Sequence, residues 1–151
     1  MAKIMPIERK LAMPKKPNNL RKRLTRQELR DLDLEIKFLE GIARRDPCYV
    51  DLLKILGDNY TRRGRHEEGL RIDERLARLC PEDAVVYYNL ACSYSLTRQL
   101  ELAVDALETA IGLGYRNLEH MARDPDLENL RKHADYKKLR AKMRRKNVKT
   151  G

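Results

Sequence analysis

The chain has 151 residues, of which 42% are hydrophobic and 37% are charged. This length suits one domain, and the high charged fraction, with few Gly, Pro and aromatic residues, favours exposed helices over a thick interior. We therefore predict an all-α protein. The sequence contains no uninterrupted apolar run of about 18 residues, so we expect no membrane span.

The net charge of +10 is distributed unevenly. Residues 1–26 carry nine Lys or Arg and one Glu, residues 131–151 carry ten and one Asp, and the middle of the chain is acidic. Basic ends around an acidic middle indicate contact with polyanions, or ends that fold back on the acidic body, or simply solvated termini. The candidate polyanion contacts are Lys15, Lys16, Arg21, Lys22, Arg23, Arg140, Lys142, Arg144, Arg145 and Lys146.

The first 24 residues combine basic side chains with three prolines, which predicts a flexible arm. Thr25 and Glu28 then form a capping-box pattern, so a helix is expected to begin here and to run to about Arg45, before Asp46-Pro47. Its buried stripe is predicted to comprise Leu32, Ile36, Leu39 and Ile42, helped by Leu29 and Phe38.

An internal repeat with a period of 34 residues follows. Leu56-Gly57 aligns with Leu90-Ala91, Tyr60 aligns with Tyr94, and Gly69 aligns with Ala103. Each unit is predicted to be a helix pair, at about 48–62 and 66–79 in the first and about 82–97 and 99–112 in the second. The small residues lie where two helix backbones approach closely.

These residues resemble the tetratricopeptide repeat family, whose signature is a 34-residue helix–turn–helix unit. The resemblance is carried by Leu56, Gly57, Tyr60, Gly64, Gly69 and Pro81, and by Tyr87, Leu90, Ala91, Tyr94, Ala103 and Ala110. It implies a short right-handed helix-turn-helix solenoid of about six to eight helices, with a half-repeat at 25–47 and full repeats at 50–83 and 84–117. Asp73, Arg98 and Tyr115 depart from the family pattern.

The segment 118–140 is similar to the closing segment found at the end of some tetratricopeptide arrays, which covers the apolar end of the solenoid with a capping C-terminal helix. Asp124 is predicted to cap a helix that starts at Pro125. The apolar cover would come from Leu118, Met121, Leu127, Leu130, Tyr136 and Leu139. Residues 141–151 are predicted to be a basic tail that is too charged to pack.

In the family, the first helix of each pair lines a concave groove. The candidate groove residues that this implies are Lys54, Asp58, Arg62, Tyr88, Asn89, Cys92 and Arg123. Such a groove would hold a partner peptide, be covered by another part of the chain, or stay unused. Lys54, Asn89 and Arg123 also match three positions of the family's carboxylate clamp, but Asp58 and Glu119 replace two others and would repel an anion.

The sequence offers no pattern for catalysis, a metal site or a cofactor. Cys92 and Ser93 lie in mid-helix, and no histidine is linked to them by the repeat. The histidines and cysteines lack the spacing of a zinc site, and nucleotide-binding motifs are missing. Cys48, Cys80 and Cys92 form no CxxC pair, which favours reduced thiols and a cytoplasmic location.

Two main hypotheses follow. The first is a non-catalytic adaptor that binds a peptide or helix of another protein in the groove, either alone or as a subunit of an enzyme complex. The alternative is an RNA- or ribosome-associated protein that contacts phosphates through its basic ends.

Overall fold

Eight α-helices and one 3₁₀ turn make up the regular structure of residues 23–149, the part of the chain that a computed structural model describes, with side chains up to residue 146. The helices are α1 (Arg26–Arg45), α2 (Val50–Arg63), α3 (His66–Leu79), α4 (Ala84–Leu96), α5 (Leu100–Gly112), α6 (Leu118–Arg123), α7 (Glu128–Arg131) and α8 (Ala134–Lys149), and the 3₁₀ turn is Pro125–Leu127. The prediction of an all-α protein with six to eight helices is confirmed for this range. The predicted arm, with Lys15, Lys16, Arg21 and Lys22, lies outside the described residues except at its last two positions.

Helices α1 to α5 pack against one another in chain order, as in a helical solenoid. The capping box that starts α1 is present: the Glu28 amide donates to Thr25 Oγ1 at 3.2 Å, and the Thr25 amide donates to Glu28 Oε2 at 2.7 Å. Leu32, Ile36 and Leu39 are buried as predicted, but Phe38 is 68% exposed. Phe38 lies on the side of α1 opposite to its buried stripe, and it is the buried stripe that packs on α2.

The 34-residue period recurs in the hydrogen bonds. Tyr60 donates its hydroxyl to Glu40, and 34 residues later Tyr94 donates to Glu74. Because Glu40 lies in α1 and Glu74 lies in α3, α1 packs on α2 in the way that α3 packs on α4. The interpretation of α1 as the second helix of an incomplete unit agrees with this repetition.

The turns inside the two helix pairs also correspond. Gly64 has φ +82° and Arg98 has φ +61°, so both adopt the left-handed conformation. In each turn, the backbone amide of the following residue donates an equivalent hydrogen bond. Arg65 N donates to Tyr60 O at 2.8 Å, and Gln99 N donates to Tyr94 O at 2.9 Å. Arg98 therefore replaces glycine at a position that costs a non-glycine residue about 1 kcal/mol; the second unit keeps the same turn without glycine.

The end of the solenoid is covered by the closing segment. Of the predicted cover, Leu118 is partly buried, and the other five residues are buried: Met121, Leu127, Leu130, Tyr136 and Leu139. The predicted basic tail at 141–151 needs correction, because α8 continues without a break to Lys149 and Met143 is only 2% exposed. An apolar side chain every three to four residues is enough to hold a helix whose other faces are basic.

Replacing Met143 with alanine is expected to lower the free energy of unfolding by about 2 kcal/mol, at the low end for a buried methionine because the site is near a helix end. The measurement is urea denaturation followed by circular dichroism. Ala141→Ser, at an exposed position of the same helix, is the control and is expected to change stability by less than about 0.5 kcal/mol. Equal effects of the two substitutions would contradict the packing of α8.

No helix within residues 23–149 combines the length and the apolar character that crossing a membrane requires.

Candidate partner-binding groove

The predicted groove residues come from three elements. Lys54, Asp58 and Arg62 lie on α2, Tyr88, Asn89 and Cys92 lie on α4, and Arg123 lies on α6. The structure brings Lys54, Asp58, Asn89 and Cys92 to the walls of one cleft between α2, α4 and the 3₁₀ turn. Arg62 and Arg123 do not line this cleft.

Tyr88 does not face an open groove, which corrects the prediction for this residue. Tyr88 is 3% exposed, and Cys92, which borders the cleft, is only 5% exposed. The Tyr88 ring stacks on Tyr115, with the ring centroids 4.3 Å apart and the planes at 10°. The Tyr88 hydroxyl donates to Asp124 Oδ2 at 2.9 Å. The closing segment of the same chain therefore covers this half of the groove.

Asp124 is the centre of a buried polar cluster. Its Oδ2 accepts from Tyr88, lies 3.2 Å from His120 Nε2, and is 3.8 Å from the Cys92 thiol, which donates to it. Its Oδ1 accepts the Asp126 amide at 3.0 Å, which is the predicted capping bond at Pro125. Because a buried carboxylate needs several donors, these bonds account for the burial of Asp124.

Burial of the cluster also changes the acidity of the two stacked tyrosines. Desolvation, followed by the nearby Cys92 and Asp124, raises the pKa of Tyr88 far above its usual range. Desolvation raises the pKa of Tyr115 to about 12. Both phenols are therefore neutral at physiological pH, and Tyr88 acts as a hydrogen-bond donor.

Cys92, Asp124 and Asp126 also offer one potential metal-ligand atom each within 4.8 Å of one another. The donors around Asp124 already occupy both of its oxygens. We therefore assign the cluster a structural role.

The structure also places His120 beside Asp124, a proximity that the sequence did not reveal. The Cys92 thiol is 5% exposed and donates a hydrogen bond to the Asp124 carboxylate.

The part of the groove that stays open is a cleft of about 40 Å³, with room for about three water molecules or the tip of one side chain. Its polar walls are formed by Lys54, Asp58, Thr61, Asp73, Asn89, Ser93 and Asp126. Lys54 is held at one edge by an ion pair of 3.3 Å with Asp83, the residue that caps α4. Asp58, Asp73 and Asp126 place three carboxylates in the cleft, and Lys54 places one ammonium group there. The cleft is therefore acidic.

Asp73 and Asp126 are the two charged cleft residues that the sequence-based site did not include. Asp73 is 7% exposed and accepts a hydrogen bond from the Ser93 hydroxyl across the α3–α4 interface. Its departure from the family pattern was the available signal. Asp126 enters the cleft only because the closing segment folds back on α4, and nothing in its local sequence indicates that position.

The other predicted residues lie apart from the cleft. Arg62 is exposed on α2, with Nη1 3.5 Å from Asn59 Oδ1. Arg123 is exposed on α6 and lies 3.1 Å from Glu119, one of the two carboxylates that depart from the clamp pattern. Among the polyanion candidates, Arg23 is exposed before α1, and Arg140, Lys142, Arg144, Arg145 and Lys146 all lie on α8.

No protein-family profile matches the chain. A segment of 86 residues is 38% identical to a chloroplastic protein of Arabidopsis thaliana. The match covers 55% of this chain and 26% of that protein. The chain therefore spans about a quarter of the length of the relative, and the similarity concerns one part of it.

Proposed function

We propose that the protein is a non-catalytic interaction module, a tetratricopeptide-like solenoid that binds an extended peptide of a partner protein across the α2–α4 cleft. The observation that carries the proposal is the cleft itself. It lies on the side of the solenoid formed by the first helix of each pair, and it stays open although the closing segment covers the neighbouring half of the groove.

The charges of the cleft specify the kind of peptide. Asp58, Asp73 and Asp126 outnumber Lys54, which is itself engaged by Asp83. A lysine or arginine side chain of a partner would therefore be attracted, and a C-terminal carboxylate would be repelled. Because the volume suits the tip of one side chain, we expect one basic anchor, with the rest of the peptide lying over the exposed rim.

The proposed role is without catalysis, because a nucleophile must reach its substrate and the Cys92 side chain is only 5% exposed. The proposed location is the cytoplasm, because the sequence has no CxxC pair.

A peptide selection tests this function. Random peptides displayed on phage are selected on the immobilised full chain, and an enriched sequence is synthesised and titrated by calorimetry. We expect enriched peptides to carry Lys or Arg, and Asp58→Lys to weaken binding about tenfold or more, because the substitution replaces an attraction by a repulsion.

The matched control is Glu67→Lys, which makes the same charge change at an exposed position of α3. Lys54→Glu is expected to preserve or strengthen binding of a basic peptide. Enrichment of acidic peptides, or equal affinity of the Asp58 and Glu67 variants, would show that the cleft is not the site.

A further inference from the structure

One face of α8 carries a row of cations. Four side chains spaced i, i+4, i+7 and i+8 line a shallow surface groove: Lys138, Lys142, Arg145 and Lys146. The buried side chains of Tyr136, Leu139 and Met143 anchor the other side of the helix. The row is therefore held in a fixed orientation by the fold.

The ion pairs of Lys138 and Lys142 neutralise these two cations only weakly. Lys138 lies 3.3 Å from Asp135, and Lys142 lies 3.9 Å from Glu108, with all four side chains more than half exposed. Exposed pairs of this kind contribute little and exchange readily with other anions. A polyanion can therefore displace both carboxylates.

The length of the row suits contact with several phosphates. Eight residue steps along α8 lead from Lys138 to Lys146, which corresponds to about 12 Å along the helix axis. A duplex carries about one negative charge per 1.7 Å of its axis, counting both strands, so a stretch of this length holds about seven phosphates. The four cations can therefore each lie near a phosphate of the same stretch.

We infer that this basic face of α8 binds the phosphate backbone of a nucleic-acid duplex without reading its bases. Tyr136, the aromatic residue of α8, is 2% exposed and cannot stack on a base. The exposed apolar side chains of α8 within residues 134–146 are alanines. Insertion into a lipid surface needs larger apolar side chains, so a duplex fits this face better than a membrane.

This surface is separate from the α2–α4 cleft, and the inference does not depend on the proposed function. The test is fluorescence anisotropy of the full chain with short labelled DNA duplexes of two unrelated sequences, from about 50 to 200 mM salt. The variant combines Lys138→Gln, Lys142→Gln, Arg145→Gln and Lys146→Gln. We expect equal affinity for both duplexes, and at least about tenfold weaker binding by the variant.

The salt dependence gives a second readout. Each phosphate contact contributes about 0.9 to the slope of log affinity against log salt, so the variant is expected to lose about 3 to 4 units of slope. The matched control removes the same charge from exposed positions on the body of the protein through Lys37→Gln, Arg44→Gln, Arg45→Gln and Arg78→Gln. It is expected to stay within about threefold of the unmodified protein.

Three outcomes would overturn the inference. Equal losses in the two variants would indicate a net-charge effect. Loss of binding on changing Lys15, Lys16, Arg21 and Lys22, with the α8 variant unaffected, would place the contact in the N-terminal arm. Binding to phosphatidylserine vesicles without binding to either duplex would indicate a membrane surface.

Discussion

Replacing Asp124 with alanine is expected to lower the free energy of unfolding by about 3 kcal/mol. The carboxylate is 3% exposed and accepts hydrogen bonds from the Tyr88 hydroxyl and the Asp126 amide. Its removal leaves the buried Tyr88 hydroxyl without an acceptor, which costs about 1–3 kcal/mol. It also removes the capping bond to the Asp126 amide, which contributes about 1 kcal/mol. Urea denaturation of the variant and the unmodified chain measures the difference.

A double-mutant cycle separates the hydrogen bond from general damage. In a Tyr88→Phe background no hydroxyl is left without an acceptor. The loss of stability caused by Asp124→Ala is therefore expected to be about 1–2 kcal/mol smaller than in the unmodified chain. Glu119→Ala, at a site that is 76% exposed, is the control and is expected to change stability by less than about 0.5 kcal/mol. A loss below about 1 kcal/mol for Asp124→Ala, or no coupling to Tyr88, would show that the cluster does not fasten the closing segment.

The same variant has a second expected effect, on the Cys92 thiol. Because Cys92 is covered by the closing segment, loosening that segment should increase its rate of labelling by a thiol reagent. The measurement is made with Cys48→Ser and Cys80→Ser in place, so that Cys92 reports alone. Unchanged labelling would mean that the groove stays covered without the Asp124 bonds.

Replacing Gly57 with leucine is expected to lower the free energy of unfolding by about 1 to 2 kcal/mol. A Cβ at this position would lie 3.3 Å from Ile72 Cγ2 and 3.3 Å from Asp73 Oδ1. The larger side chain would separate α2 from α3 and disturb the bond between Asp73 and Ser93. Overpacking of this kind costs about 1–3 kcal/mol, which exceeds the gain of up to about 1 kcal/mol from replacing a helical glycine.

Gly112→Leu is the matched control for the packing effect. A Cβ at Gly112 meets no atom within 4 Å, so leucine there is expected to leave stability unchanged or to raise it by up to about 1 kcal/mol. Thermal and urea unfolding of both variants measure the difference. If Gly57→Leu were as stable as Gly112→Leu, the close approach of α2 and α3 would not be needed by the fold.

Local patterns were sufficient to predict the helices. The spacing of Leu32, Ile36 and Leu39 predicted the buried side of α1, and the capping box at Thr25 predicted its first residue to within one position. The alignment of Gly57 and Gly69 predicted where α2 and α3 approach. These features depend on contacts within a helix or between consecutive helices, and the order of residues along the chain encodes such contacts directly.

The groove could be predicted only in part. The repeat register correctly put Lys54, Asp58 and Asn89 on a common cleft. It also put Tyr88 and Cys92 on the concave side, but it could not reveal what lies against them. That depends on Asp124, which is 36 residues from Tyr88 in the sequence, and on the path that the closing segment takes over α4.

The sequence by itself determined the all-α class, the boundaries of α1 to α5 to within about two residues, and the 34-residue correspondence, because each follows from local periodicity and capping. Only the tertiary structure decided that Tyr88 and Cys92 are covered, that Asp126 joins the cleft, and that a strongly basic α8 packs through Met143. The physical reason is that a side chain is buried only when a second surface packs against it. The pattern along a helix shows which side chains can be buried, but the packing of a distant segment of the chain decides which of them are.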